Sequence, residues 1–220
     1  MISKAILGAA VAAAATSSFA VPQLHFVGTG LGGNVLTSRD GGASFNAFFC
    51  GELNVARCDI PSAPFYGFCT SASVWMMMTG CWNADILDTN SLSPSGSQVG
   101  RLSTQHAATV HSSASNVDAQ MLQAVIWEVT SETSSTFDLT SGSFIAKNYD
   151  GSALNATQLA AAQTFLSDTT AGVATWYRAQ LNDAGAKVSQ DIVTPVPEPG
   201  TIVALATGLI GLFLRPRRRA

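Results

Sequence analysis

The residues best suited to chemistry in this chain are cysteines, which can form disulfides, bind metals or act as nucleophiles. There are four, Cys50, Cys58, Cys69 and Cys81. Neither C-x-x-C nor C-x-x-C-H occurs, so the spacing does not favour a zinc ribbon, a dithiol redox site or a c-type haem. In an exported protein four thiols can form two disulfides, with three possible pairings. Composition alone therefore predicts two disulfides that stabilise residues 50–81.

Histidines and glutamates offer weaker candidates. His106 and His111 would point about 140° apart on a helix, so they share no face and we expect no metal site. Glu128 and Glu132 share a helix face, and a carboxylate pair can perform the acid–base work of a glycosidase. Without a cleft we interpret the pair as a solvated helix edge. No G-x-S-x-G or Walker sequence is present, so we expect no enzyme activity and no cofactor.

Charge excludes one class of partner. The chain has 220 residues, a net charge of −3 and 11% charged residues. Outside the C-terminal arginines there is no basic patch, so nucleic-acid binding is not expected. An abundance of Ser, Thr, Gly, Asn and Ala in the middle of the chain suits a β-rich extracellular protein.

The N-terminal segment has the features of a secretory signal. Residues 1–20 contain Lys4, an apolar stretch at 5–15 and the small residues Ser18 and Ala20 around Phe19. This pattern predicts a signal peptide that signal peptidase removes after export across an inner membrane. The mature domain is then residues 21–194.

The C-terminal segment, residues 195–220, has three consecutive parts. Pro197-Glu198-Pro199 precedes an uncharged, mostly apolar stretch at 201–214, and a basic cluster follows: Arg215, Arg217, Arg218 and Arg219. As a helix the apolar stretch is about 21 Å long, shorter than the roughly 30 Å core of a bilayer. The arginines would keep the C-terminus on the cytoplasmic side. An ordinary single-pass tail anchor is the alternative.

This order of parts resembles the PEP-CTERM sorting signal of Gram-negative bacteria that make exopolysaccharide. The resemblance implies that an exosortase, a membrane-embedded cysteine transpeptidase, recognises and removes the tail. The protein would be anchored in the inner membrane transiently and would end at the cell surface or outside the cell, in association with exopolysaccharide or biofilm.

The middle of the chain predicts an α+β fold, a β-rich sandwich or barrel with an inserted helical segment. We expect strands at 23–29, 34–38, 44–50 and 74–78, with turns at 30–33 and 40–42. Ser115 and Asp118 predict the start of a buried helix at 117–130. Further helices are expected at 155–166 and 172–184, and a closing strand at 187–193.

Two segments resemble the thioester domains of bacterial surface adhesins. They are AFFCGELN at residues 47–54 and LQAVIWEV at residues 122–129, and the likeness extends from residue 33 to about residue 166. It implies an internal thioester between Cys50, at the end of an aromatic strand, and Gln123, on a helix. Phe49 and Trp127 would shield that bond from water. An amine on a surface partner could then be captured as a permanent amide, without turnover.

The sequence departs from that pattern in its other cysteines. If Cys50 forms a thioester, Cys58, Cys69 and Cys81 remain as disulfide candidates, and one of them is left unpaired. The alternative is a non-catalytic carbohydrate-binding or structural matrix module with two disulfides. In that case exposed aromatics such as Trp82 or Trp176 could stack on a surface polysaccharide.

Overall fold

The computed structural model describes residues 21–92, 95–132, 136–167 and 172–195. These contain seven strands and three α-helices. The strands are β1 (Gln23–Ser38), β2 (Asn46–Arg57), β3 (Ile60–Cys69), β4 (Trp82–Asp88), β5 (Ile145–Asn148), β6 (Thr175–Ala179) and β7 (Ile192–Thr194). The helices are α1 (Gly96–Ser113), α2 (Asn116–Ser131) and α3 (Ala156–Ser167).

Six of the strands close into a barrel. Hydrogen-bonded neighbours follow the order β1, β2, β3, β7, β6, β4 and back to β1, and every pair is antiparallel. β5 extends this ring by pairing with Val35–Ser38 of β1. Closure satisfies the backbone groups that an open sheet would leave at its edges. The expected β-rich α+β class is confirmed.

Two glycines allow the paired strands β1 and β2, the two longest strands described, to approach each other closely. Gly32 on β1 lies opposite Gly51 on β2, at an irregularity in the register. Their φ angles are +138° and +153°, and a Cβ on Gly51 would lie 2.2 Å from the carbonyl oxygen of Leu31. Because only glycine fits this approach, β1 continues through residues 30–33, where the sequence predicted a turn.

Helix α2 forms the centre of the protein. All residues from Met121 to Val129 are buried, and the helix contacts β1, β2, β3, α1 and α3. Its start is the predicted one, since the Ser115 hydroxyl accepts a hydrogen bond from the Asp118 N–H at 3.1 Å. The expected bounds of α3 are confirmed to within one residue, and Asn155 and Gln158 form reciprocal cap hydrogen bonds of 2.8 and 3.0 Å.

Other predicted elements are wrong. Residues 74–78 form no strand, and the predicted helix at 172–184 contains strand β6 instead. β6 buries Trp176 and Ala179, contains the strand-favouring residues Thr175, Trp176 and Tyr177, and pairs with β4 and β7. Helix α1 and strands β3, β4 and β5 were not predicted. The closing strand is shorter than expected, at Ile192–Thr194.

The two targeting segments lie outside the described residues. They comprise the signal peptide at 1–20 and, in the tail, Pro197, Glu198, Pro199, Arg215, Arg217, Arg218 and Arg219. Among the described helices, none combines the length and the apolar character needed to cross a membrane.

The close approach of β1 and β2 at Gly32 and Gly51 can be tested by substitution. Gly51→Ala should lower the free energy of unfolding by about 2 kcal/mol or more, because the new Cβ meets backbone atoms and the backbone conformation disfavours alanine. Gly28→Ala, on the same strand pair with no heavy atom within 4 Å of the new Cβ, is the matched control and should change it by only about 0.5 kcal/mol. Urea denaturation measures both, and equal losses would contradict the prediction.

Candidate functional site

Cys50 presents a buried free thiol to the central helix. It is the fifth residue of β2 and has no solvent-exposed surface. Its Sγ donates a 3.0 Å hydrogen bond to the carbonyl oxygen of Gln120 on α2. Burial, and then the neighbouring Cys69, raise the pKa of this thiol well above its ordinary value. Cys50 is therefore protonated at neutral pH and lies against α2 one turn before Gln123.

Gln123 is wholly buried, and its carboxamide is held by the backbone of Cys69. The Cys69 N–H donates to Gln123 Oε1 at 2.7 Å, and Gln123 Nε2 donates to the Cys69 carbonyl oxygen at 2.7 Å. The amide therefore occupies the place of a neighbouring strand at the end of β3. The two residues of the expected thioester thus share one core but have different hydrogen-bond partners.

Cys50 does not close its strand as the sequence predicted. β2 continues to Arg57, because residues 51–57 pair with β1 and, further on, with β3. The continuation places Cys50 under α2 rather than at a strand end. The two aromatic residues expected to shield the thioester differ in position, since Trp127 is wholly buried and Phe49 is half-buried.

Trp127 is wholly buried, four residues after Gln123 on α2, as its role in shielding requires. The aromatic ring that contacts it is Phe48, edge-on at 6.1 Å between centroids. Phe49 is half-buried and lines a surface cleft. Phe48 therefore provides the aromatic contact to Trp127, and Phe49, which we expected to shield the thioester, lines the cleft.

The four cysteines form one disulfide. Cys58, in the β2–β3 turn, is bonded to Cys81, which precedes β4, while Cys50 and Cys69 are free and buried. The prediction of two disulfides and the candidacy of Cys69 are therefore wrong. The physical reason is that Cys58 and Cys81 lie where β1 joins β2 and β4, whereas Cys69 ends β3 inside the core.

Exposed aromatic surface is found at a position that the sequence did not indicate. Trp82 and Trp176, the tryptophans expected to be exposed, are only 3% and 5% exposed. Trp75 is 69% exposed, although its place in an apolar run suggested a buried strand. Hydropathy gave no signal for this, because the run lies in a loop between β3 and β4 whose outward residues are apolar.

Clefts lie on both sides of Trp75, and Phe48 lines both of them. The first has a volume of about 450 Å³ and is mostly apolar, lined by Phe26, Phe49, Leu53, Met76, Met78 and Tyr149. The second has a volume of about 360 Å³ and is mostly polar, lined by Thr37, Arg39, Asp40, Ser44, Asn46 and Ser73. We call Trp75 with these two clefts the Trp75 platform. Cleft volumes in this range suit small-molecule sites.

The carboxylates of Glu128 and Glu132 hold a loop rather than facing solvent. Glu128 is wholly buried, and its Oε1 accepts a 2.8 Å hydrogen bond from the Asp138 N–H. Glu132 Oε2 accepts one of 2.7 Å from the Ser143 N–H. The expected solvated helix edge is therefore wrong, and the pair is committed to backbone groups of residues 138–143.

The two histidines lie apart. His111 Nδ1 is 3.2 Å from Glu52 Oε2, and its ring stacks on Tyr66 with centroids 4.1 Å apart. His106 packs against Phe165 at 5.0 Å. Within the described part of the chain, no group of three or more potential ligands could hold a metal ion.

Comparison with known families gives a match at the C-terminal end of the chain. Residues 195–219 match the PEP-CTERM protein-sorting motif. The chain carries a PEP-CTERM sorting motif. This confirms the resemblance drawn from Pro197-Glu198-Pro199, the apolar stretch and the arginine cluster. The motif implies an exported protein that an exosortase processes and that is anchored in the membrane transiently. The comparison with curated proteins gives no match.

Burial of Glu128 gives a testable dependence of stability on pH. Desolvation raises the pKa of Glu128 to about 7, opposed by the hydrogen bond from the Asp138 N–H and supported by the charges of Glu132 and Asp138. This pKa exceeds that of an unfolded glutamate, about 4.5. Between pH 4.5 and about pH 7, Glu128 is therefore protonated in the folded state and mostly ionised in the unfolded state. The free energy of unfolding should therefore fall by about 2–3 kcal/mol as pH rises from 4.5 to 8.

Urea denaturation at several pH values measures this slope. Glu128→Gln, which stays neutral, should remove most of it, whereas Glu132→Gln should retain most of it, because desolvation is the largest cause. A slope unchanged by Glu128→Gln would show that another group is responsible.

Proposed function

We propose that this PEP-CTERM protein is a non-catalytic surface protein whose mature domain, residues 21–194, attaches to material outside the cell. Export and exosortase processing follow from the sorting motif. Removal of residues 1–20 by signal peptidase, a final position at the surface of a Gram-negative cell, and association with exopolysaccharide or biofilm complete the proposal. A free buried thiol at Cys50, a buried carboxamide at Gln123 and an aromatic cover together support a single attachment reaction rather than repeated catalysis.

The attachment that we propose is an internal thioester between Cys50 and Gln123. The observation that carries it is the placement of the Cys50 thiol, free and wholly buried on β2, in hydrogen-bond contact with the helix that bears the wholly buried Gln123. Both groups are in a water-poor core, where a thioester resists hydrolysis. The Phe48–Trp127 contact closes this core towards the surface.

Thioester formation replaces the C–N bond of the Gln123 carboxamide with a C–S bond. The Cys50 sulfur adds to Gln123 Cδ, the tetrahedral intermediate expels the amide nitrogen, and the thiol proton leaves with it as ammonia. The Cys69 N–H already donates to Gln123 Oε1 at 2.7 Å, so it can stabilise the negative charge that develops on this oxygen. The bond from Nε2 to the Cys69 carbonyl is lost, because that nitrogen departs.

A later amine, such as a lysine of a surface partner, would attack Cδ and release the Cys50 thiol. The high pKa of that thiol makes it a poor leaving group unless it is protonated as it departs. The captured amine would remain joined to Gln123 by an amide. The reaction therefore occurs once for each molecule and needs no cofactor.

A structural matrix role is the second candidate for the same exported domain. It was expected to rely on two disulfides, and the structure has the one between Cys58 and Cys81. A purely structural role predicts an intact Gln123 carboxamide and no reaction with amines, so the test below separates the two.

Processing can be checked by intact-mass analysis of protein from a host that has its exosortase. The mature protein should lack residues 1–20 and the arginine cluster at 215–219. The same chain in a host without exosortase should keep the cluster and stay with the membrane fraction. Alanine at positions 197–199 should give the same retention, since these residues form the recognition segment. Mature surface material with an intact C-terminus would contradict this prediction.

The thioester can be checked on the same processed protein. Its mass should be about 17 Da below the value for the disulfide-bonded chain, and methylamine should add covalently at Gln123. Cys50→Ser and Gln123→Glu should each abolish addition, while Cys69→Ser and Gln120→Ala should retain it. Reductant alone should not restore the missing mass, because it acts on disulfides.

Two results would count against this assignment. An unmodified mass together with no methylamine addition would leave the structural role. Loss of addition in Cys69→Ser but not in Cys50→Ser would transfer the reaction to Cys69.

A further inference from the structure

Trp75 is a rigid aromatic surface rather than a loose side chain. Its ring packs on Phe48 at 4.9 Å between centroids, and Phe48 packs edge-on against the buried Trp127. The outer face stays open to solvent, with 69% of the residue exposed. A large apolar ring that is exposed to water, yet packs on a second ring that is itself held by a buried one, is typical of a contact surface.

The loop that presents Trp75 is fixed on both sides. Gln190 Nε2 donates to the Val74 carbonyl oxygen, and the Met77 N–H donates to Ser189 Oγ at 3.1 Å. The Ser189 hydroxyl also lies 3.3 Å from Met76 Sδ. Binding at Trp75 would therefore require little ordering of the loop, which keeps its entropic cost low.

The polar cleft beside Trp75 offers groups suited to hydroxyls. Asp40 accepts hydrogen bonds from the Ser38 and Ser44 hydroxyls, and these lower its pKa to about 2. The carboxylate therefore remains ionised and acts as an acceptor at neutral pH. Arg39 and Asn46 line the same cleft and add donors.

Each cleft also contains a buried polar atom that no described residue satisfies. Thr37, in the polar cleft, is 2% exposed and its Oγ1 has no hydrogen-bond partner there. Gln190, in the apolar cleft, is 6% exposed and its Oε1 is likewise unpartnered among these residues. Unsatisfied buried polar atoms are costly, and these two have almost no accessible surface, so a small local movement of each cleft wall would bring them to a ligand with polar groups.

We infer that the Trp75 platform binds a neutral oligosaccharide. One sugar ring would lie with its C–H face on Trp75, and its hydroxyls would reach the polar cleft, while a neighbouring ring would cover the apolar cleft towards Tyr149. A saccharide combines an apolar ring face with a hydroxyl rim, and the platform has the same two characters side by side. A lipid or apolar peptide would leave the polar cleft unsatisfied.

Charge supports a neutral ligand. Arg39 and Asp40 bring opposite charges to the same cleft, so the cleft favours neither anionic nor cationic ligands. Phe48 and Trp127 connect Trp75 to the helix that carries Gln123. Cys69, whose backbone holds the Gln123 carboxamide, lines the apolar cleft. Saccharide binding at the platform uses the surface of Trp75 and its clefts and needs no covalent bond to Gln123.

The test uses the processed protein and a size series of neutral hexose oligosaccharides of two to six rings. Calorimetry measures affinity, and iodide quenching follows Trp75, because Trp82, Trp127 and Trp176 are all at most 5% exposed. Saccharide should bind the unaltered protein and protect one tryptophan from iodide. Trp75→Ala should weaken binding by about tenfold or more, from loss of the stacking surface.

Matched variants separate binding from folding. Thr37→Val keeps the side-chain shape, removes the unpartnered hydroxyl and should weaken binding by about two- to tenfold without lowering stability. Ile86→Ala removes an exposed apolar side chain outside both clefts and should leave affinity unchanged. Cys50→Ser should also leave it unchanged, so loss of the thioester and loss of saccharide binding are distinguishable.

Several outcomes would overturn the inference. They are absence of binding by the unaltered protein across the whole series, equal affinity of Trp75→Ala, and binding of detergent or fatty acid at Trp75 in place of saccharide. An unchanged midpoint of urea denaturation verifies that Trp75→Ala is folded, so that its affinity can be compared with that of the unaltered protein.

Discussion

The interior of this protein depends on one side chain, the wholly buried carboxamide of Gln123. A carboxamide removed from water must replace both its donor and its acceptor partners, and Gln123 does so on the backbone of Cys69. The β2–β3 register ends at Leu53 and Gly67, so the end of β3 is open to a side chain from the helix. This contact fixes the rotation of α2 and thereby places every other residue of that helix.

The same helix connects the core to two outer regions. Towards the surface, Trp127, Phe48 and Trp75 form a continuous series of ring contacts that ends in solvent. At its C-terminal end, Glu128 and Glu132 hold the loop before β5 through backbone N–H groups. Because protein interiors are close-packed, the position of a buried helix also fixes the side chains that pack on it. In this way α2 holds the exposed Trp75 ring and the loop before β5 in place.

Exported proteins with few charges must gain their stability by covering apolar surface and satisfying backbone groups. Here a closed six-stranded ring satisfies the backbone, and one disulfide joins Cys58 and Cys81 where the ring strands β1, β2 and β4 meet. The remaining thiols, Cys50 and Cys69, are buried in the core and are protonated because burial raises the pKa of each. Their protection from solvent is a property of the closed fold and not of their neighbours in sequence.

The sequence by itself determined the sorting motif, the bounds of α2 and α3 to within one residue, and the β-rich class, since each depends on local order of residues, caps or periodicity. Only the tertiary structure decided which cysteines pair, because disulfides depend on distances between distant strands. It also decided that β6 is a strand, through pairing with β4 and β7, and that Trp75 rather than Trp82 faces solvent. Exposure depends on what covers a residue from elsewhere in the chain, and the order of residues along one loop does not contain that information.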